Sequence, residues 1–156
     1  MVEWVNPART AGPTFSKAVP VFTQNEVAYL ASQPLARIAT VAPDGQPDVT
    51  PVSFEVEGGV LYVGSRFDVT RTRKYQNVVA GHEAVALVVD DFKPGQRPEP
   101  RGIRVYGTAQ VVERDGKVGH GKYLQITPRV SWSWNVEGPA FVDGAFAPHK
   151  TVHRHG

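Results

Sequence analysis

The residues best suited to chemistry fall between Val60 and Asn77. Val60-Leu61-Tyr62-Val63-Gly64-Ser65 reads as an apolar strand ending in Gly-Ser, and Arg66-Phe67-Asp68-Val69 as a short turn. Thr70-Arg71-Thr72-Arg73-Lys74-Tyr75-Gln76-Asn77 reads as the first turn of a helix. A helix start has backbone N–H groups with no intrahelical partner at the positive end of its dipole, which suits an anion. Arginine adds bidentate hydrogen bonding to phosphate, and lysine adds a compact point charge. The plainer alternative is a solvated basic helix face. Against it, cations at a helix N-terminus oppose the dipole by roughly a few tenths of a kcal/mol each unless an anion offsets them. They also follow a strand end directly, where a ligand lying across a sheet can place its phosphate on the next helix. The segment reads as an anion site.

The rest of the chain carries little other chemistry. There is no Ser-His-Asp or Cys-His arrangement and no HExxH motif. His149, His153 and His155 lie in a tail bounded by Pro and Gly and match no closed metal site, so they read as structural or disordered. With 156 residues, 41% hydrophobic and 21% charged, the chain has the composition of one soluble globular domain. A net charge of +2, concentrated near Arg66–Lys74, suits a small anionic ligand better than nucleic acid. No apolar run is long enough to span a bilayer. The lack of cysteine and of a signal-peptide core makes the cytoplasm the expected location.

The elements that would position the site follow from periodicity. Residues 1–21 read as an extended or loosely ordered arm, which Trp4 could pin to the body. Thr23-Gln24-Asn25-Glu26 is a capping box, and Phe22 with Val27 can form a hydrophobic staple. The helix should run to about Ser32 with Val27, Leu30 and Ala31 facing inward. Leu35–Val41 is the first strand, and Ala42-Pro43-Asp44-Gly45 turns it. Val49–Val56 is the second, Glu57-Gly58-Gly59 turns again, and Val60–Ser65 is the third, giving an antiparallel meander. Pro51 cannot donate to a ladder; it marks either an edge strand or a bulge beside Thr50 and Ser53. Gly81 would cap the helix that contains Lys74. Ala84–Val89 is apolar on both faces and reads as a doubly buried central strand, with a polar loop from Asp90 to Pro100. In Gly102–Val112, Ile103, Val105, Gly107, Ala109 and Val111 alternate with polar residues. Asp115-Gly116 makes the next turn, and Tyr123–Ile126 is a short last strand. The tail, residues 135–156, shows no period. About six strands and two helices predict an α+β chain built on a small antiparallel barrel.

Taken as an ordered set, these residues resemble the pyridoxamine-phosphate-oxidase-like, flavin-reductase-type split β-barrels. Within them the chain resembles the actinobacterial branch of F420-dependent enzymes. The marks are Leu35–Val41, Asp44-Gly45-Gln46-Pro47, Thr50-Pro51-Val52, Thr72-Arg73-Lys74-Tyr75 with Asn77, Ala86–Asp91, Arg101–Ala109 and Thr127-Pro128-Arg129 with Ser131-Trp132. The resemblance implies a six-stranded split barrel over residues 22–134. It also implies a homodimer with a cofactor site at each interface. The cofactor would be the deazaflavin F420 or, alternatively, flavin mononucleotide (FMN), each with a phosphate-bearing tail. Lys74 would hold the phosphate, with Arg71, Thr72, Arg73 and Ser65 beside it. Thr50, Pro51 and Val52 would line the ring, Asn77 would brace the loop, and Trp132 would reach in from the partner subunit. The activity implied is hydride transfer from reduced F420 to a small electron-poor organic substrate. An FMN oxidase or reductase, or a non-catalytic protein holding F420 or haem, are the alternatives. For haem, His82 and His120 are the only histidines outside the tail. The short segment between Val112 and Tyr123 departs from relatives, which often have a helix there.

Overall fold

A computed structural model describes residues 21–155. The reading of residues 1–20 as an arm pinned by Trp4 lies outside the described residues. Helix α1, Gln24–Ser32, starts at the capping box: the Glu26 amide donates to the Thr23 hydroxyl at 3.1 Å, and the Thr23 amide to the Glu26 carboxylate at 2.9 Å. The capping carboxylate is fully buried and also accepts from the Ser133 hydroxyl at 2.6 Å, fastening the helix to the sheet. This fixes the helix rotation. Glu26, Tyr29 and Leu30 face in, while Val27 and Ala31 are exposed. The staple does not form, because the Phe22 ring packs edge-on against His153 instead, at 4.7 Å.

The sheet runs in the order β2-β1-β5-β6-β7-β4-β3, every pairing antiparallel, with β10 on β7. These strands are β1 Ala36–Val41, β2 Pro47–Val52, β3 Phe54–Glu57, β4 Val60–Val63, β5 Ala84–Lys93, β6 Glu99–Gly116, β7 Gly119–Trp134 and β10 His149–Val152. A small hairpin, β8 Phe141–Val142 with β9 Ala145–Phe146, stands apart. The strands therefore exceed the six expected, for two reasons. The segment read as one second strand is two, β2 and β3, which lie at opposite ends of the sheet path and are separated in the chain by Ser53 alone. That one-residue junction joins the two ends covalently and curls the sheet into a split barrel. The simple meander is thereby replaced. The tail also contributes strands of its own.

The last long strand extends well beyond Tyr123–Ile126. β7 begins at Gly119, after a turn at residues 117–118, and passes through Pro128. A proline inside a central strand needs an irregularity, and the β6–β7 register slips between Tyr106 and Gly107, leaving Arg129 unmatched. A side chain on Gly107 would meet the Thr127 carbonyl at 2.6 Å, so glycine is required opposite the slip. The tail satisfies the backbone freed there: the His153 amide donates to the Arg129 carbonyl at 2.9 Å, and His155 Nε2 meets the Pro128 carbonyl.

The core fills with one face of each strand, Ile38, Leu61, Leu87, Ile103, Val105, Leu124 and Ile126, under Leu30. β6 keeps the predicted alternation. β5 is central but buried on one face only, with Val85, Leu87 and Val89 inside and Ala86 and Val88 half-exposed.

Candidate cofactor site

The segment between β4 and β5 is held by its own side chains. The Ser65 hydroxyl accepts from the Phe67 amide at 3.1 Å. Asp68 caps a 3₁₀ turn, Val69–Arg71, accepting from the Thr70 amide at 3.0 Å and from its hydroxyl at 2.5 Å. Those bonds, the hydroxyl first, hold the Asp68 carboxyl below the usual carboxylate range. Thr72 precedes helix α2, Arg73–Val79, but its hydroxyl donates back to the Val69 carbonyl at 2.6 Å and does not cap the helix. The C-terminal end closes as a Schellman motif. Gly81, at φ +102°, donates to the Val78 carbonyl, and the His82 amide donates to that of Asn77.

One face of α2 is pressed onto the sheet. Asn77, 3% exposed, donates through Nδ2 to the Thr40 hydroxyl at 2.9 Å, and Thr40 is 1% exposed. A turn earlier, Lys74 is only 8% exposed. Among the described residues its ammonium has no ion pair and no side-chain hydrogen bond. Burial pushes its pKa below the ordinary lysine value, and the nearby Asp48 carboxylate opposes that shift. Arg73 comes within 4.0 Å of Asp48 but is largely exposed, and Arg71 is exposed. A lysine with a buried stem and an ammonium that makes no hydrogen bond, beside the exposed guanidinium groups of Arg71 and Arg73, fits the phosphate of a flavin-type cofactor.

The predicted ring-lining residues sit on an edge strand. β2 pairs only with β1, in unbroken register from Ala36↔Val52 to Val41↔Pro47. Pro51 therefore marks an edge and not a bulge. Thr50 and Val52 share the face of Ile38 and Ala36, whereas Pro51 lies opposite Arg37 on the other face. The three do not line one surface. Asp48 is on the Thr50 face, which brings that face to Lys74.

Trp132 lies elsewhere. It is on β7 opposite Arg104, whose guanidinium stacks 4.4 Å from its ring, and Tyr106 meets it edge-on at 5.1 Å. Trp132 and Arg104 lie on the face of β6 and β7 away from the core, whereas Thr50 shares the core-facing side of β1 and β2 with Ile38. Within one chain, then, Arg73 and Lys74 lie near Asp48 on the Thr50 face, Asn77 is tied to Thr40, Ser65 stands before the 3₁₀ turn, and Trp132 is on the other face of the sheet.

Sequence reading missed Asp48 and Thr40. Both occupy even positions of the β1–β2 hairpin, on the face that α2 covers, and strand parity alone could have paired them with the helix. Nor did it single out the β6–β7 hairpin tip, which forms the far wall of a cleft of about 430 Å³ opposite residues 65–70. At that tip His120 has both ring nitrogens against carboxylates, Asp115 at 2.8 Å and Glu113 at 3.2 Å. Those hydrogen bonds raise its pKa and leave neither nitrogen free for haem iron.

Comparison with known proteins places the chain in a family and a fold. The pyridoxamine 5'-phosphate oxidase family model matches residues 22–133. A 5a,11a-dehydrotetracycline/5a,11a-dehydrooxytetracycline reductase of Streptomyces rimosus is 40% identical over 124 residues, covering 75% of this chain and 85% of the relative. Among solved structures, the conserved hypothetical protein Rv2991 of Mycobacterium tuberculosis superposes with a TM-score of 0.58 at 19% identity, covering 83% of this chain and 96% of its own. The haem storage protein HutZ of Vibrio cholerae superposes with a TM-score of 0.50 at 14% identity, over 65% of this chain and 85% of its own. At those identities the structures speak for the fold alone. The matched span and the 40% identity make the chain a member of the pyridoxamine 5'-phosphate oxidase family, an oxidoreductase on a split β-barrel.

Proposed function

We propose that the chain is a cytoplasmic reductase that uses reduced F420 to reduce a small electron-poor organic acceptor, and that it works as a homodimer with a cofactor site at each interface. The observation that carries the reading is Lys74 at the start of α2, its stem buried against the sheet and its ammonium without a hydrogen bond or ion pair among the described residues. The 40%-identical relative, named as a reductase of dehydrotetracyclines, supports an organic acceptor. When bound, reduced F420 supplies a hydride, and a proton from solvent completes the two-electron reduction.

The chain's own residues would bind and orient. Lys74 holds the phosphate as a point charge, and Arg71 and Arg73 close on it from the solvent side. Asp68 and Thr72 keep the loop in one conformation through their bonds to Thr70 and Val69, so little ordering is lost on binding. Asn77 and Thr40 fix α2 to β1, and with it the height of Lys74 above the sheet. Edge strand β2 brings Thr50 beside the ring, and Pro51 leaves its edge short of one N–H, while Val52 is held in the core beneath. Trp132, stacked under Arg104, would reach the ring of the partner subunit. The apolar outer face around it, with Ala86, Val88, Tyr106 and Val130 at least partly exposed, supports such an interface.

The test is a fluorescence titration of the purified protein with F420 and, in parallel, with FMN. Tight F420 binding with weak FMN binding is expected, followed by acceptor-dependent consumption of reduced F420. The reverse preference would move the chain to flavin-dependent chemistry. A haem complex with a Soret band and no F420 binding would make it a binding protein.

A further inference from the structure

Phe67 is the feature that the cofactor site does not use. It is 87% exposed, the most exposed large apolar side chain among the described residues. It is also held firmly. Its own amide is bound by the Ser65 hydroxyl, and the next residue, Asp68, caps the 3₁₀ turn. A mobile loop could fold such a ring away from water; this backbone keeps it out. Phe141 and Phe146 lie against each other at 5.7 Å, whereas Phe67, like Phe92, has no aromatic partner among the described residues.

Phe67 stands at the rim of the cleft between residues 65–70 and 118–123, whose volume of about 430 Å³ suits a small organic molecule. The position of that cleft is informative. Its walls Val118 and Tyr123 also flank Ser53, the residue that follows ring-lining β2. On its other side the wall formed by Val69 and Thr70 continues directly into Arg71–Lys74. The cleft thus borders both ends of the site proposed for the cofactor. Its lining combines apolar surface with two cations, Arg66 and Lys122, that form no ion pair among the described residues, and with the Asp68 carboxylate, already engaged by Thr70, and the carboxylate-paired His120.

We propose that this cleft receives the acceptor substrate, a flat fused-ring compound carrying enolate or phenolate oxygens, and that Phe67 is the wall on which its ring system stacks. The inference rests on the reductase reading and adds the place and class of the acceptor. An aromatic face favours an offset-stacked flat ring, and Arg66 and Lys122 offer charge-assisted hydrogen bonds to acidic oxygens on its rim. Phe67 is here a specificity residue, separate from the groups that hold the phosphate.

The experiment uses the full chain with tetracycline as the probe, in chelator-containing buffer because the enolate binds divalent ions. Binding is followed by probe fluorescence in the wild type, Phe67→Ala, Phe67→Tyr and Arg66→Gln. F420 affinity and sedimentation are measured on each variant. Phe67→Ala should weaken tetracycline binding at least five-fold and Phe67→Tyr should retain it. Arg66→Gln should weaken it chiefly where the probe is anionic, and F420 affinity should stay unchanged throughout. Unchanged tetracycline binding in Phe67→Ala would overturn the assignment. A shift of Phe67→Ala from dimer to monomer would overturn it too, by making Phe67 a contact between copies. A wild type that binds F420 but not tetracycline would remove the acceptor site and leave the cofactor reading. Phe67-dependent tetracycline binding without F420 binding would keep the cleft and remove the reductase.

Discussion

Two cations in this molecule have opposite surroundings. Arg101 forms a two-pronged ion pair with Asp91 at 2.7 and 2.9 Å, and the same carboxylate accepts from the Tyr29 hydroxyl and from Gln33. The guanidinium also lies over the Tyr29 ring at 4.9 Å. Every group there has a partner, and the cluster ties α1 to β5 and β6. Lys74 is more deeply buried and has none. A structural cation is satisfied within the fold; a partly desolvated cation without a hydrogen bond is left for a ligand to satisfy. The contrast separates two kinds of positive charge that look alike in sequence.

The largest effect that would break the contrast is on binding. Lys74→Ala should lower cofactor affinity by about 1.5–3 kcal/mol, the scale of a charge-assisted hydrogen bond, and leave the melting temperature unchanged or raised. Asp91→Ala should act the other way. By stranding Arg101 and the Tyr29 hydroxyl it should cost about 1–3 kcal/mol of stability in denaturant titration, with cofactor affinity intact. Asn77→Ala lies between the two. It leaves the buried Thr40 hydroxyl without its partner, at about 1 kcal/mol, and loosens α2, so stability and affinity should fall together. Arg73→Gln should be the smallest, within about 0.5 kcal/mol of wild-type stability, because its contact with Asp48 is long and exposed.

A pH profile sharpens the same comparison. The folded-state pKa of Lys74 is lowered, so between that value and the ordinary lysine value the unfolded chain binds more protons. Across that window stability from this group rises with pH, while affinity for a phosphate-bearing ligand falls as Lys74 loses its charge. In Lys74→Ala both slopes should be absent.

Much of this was legible in sequence where the signal was local. The capping box, the Gly81 helix end and the alternation along β6 depend on neighbours within a few residues, and each is present. The helix face was misread because Val27 and Ala31 look like core residues, while the residue that enters is Glu26, held by Ser133 from 107 positions away. Ser53 gave no sign that it divides two strands, since that break is set by sheet closure. The last strand was read to stop at Ile126, and the pairing of Gly107 across the slip with the returning His153 and His155 explains how it continues through Pro128. At the candidate site, the cation cluster at a helix start was readable from residues 66–74. That Lys74 is buried while Arg73 is exposed depends on which side of a seven-residue helix meets β1, a fact of packing. Trp132 belongs with the ring only if a second chain supplies it.

The central claim, that Lys74 is held desolvated for an anion, is most directly tested by NMR titration of the lysine ε-carbon in the protein with and without F420. The account predicts a Lys74 pKa below that of ordinary lysines in the free protein, rising when the cofactor binds. An ordinary pKa that does not move on binding would contradict it.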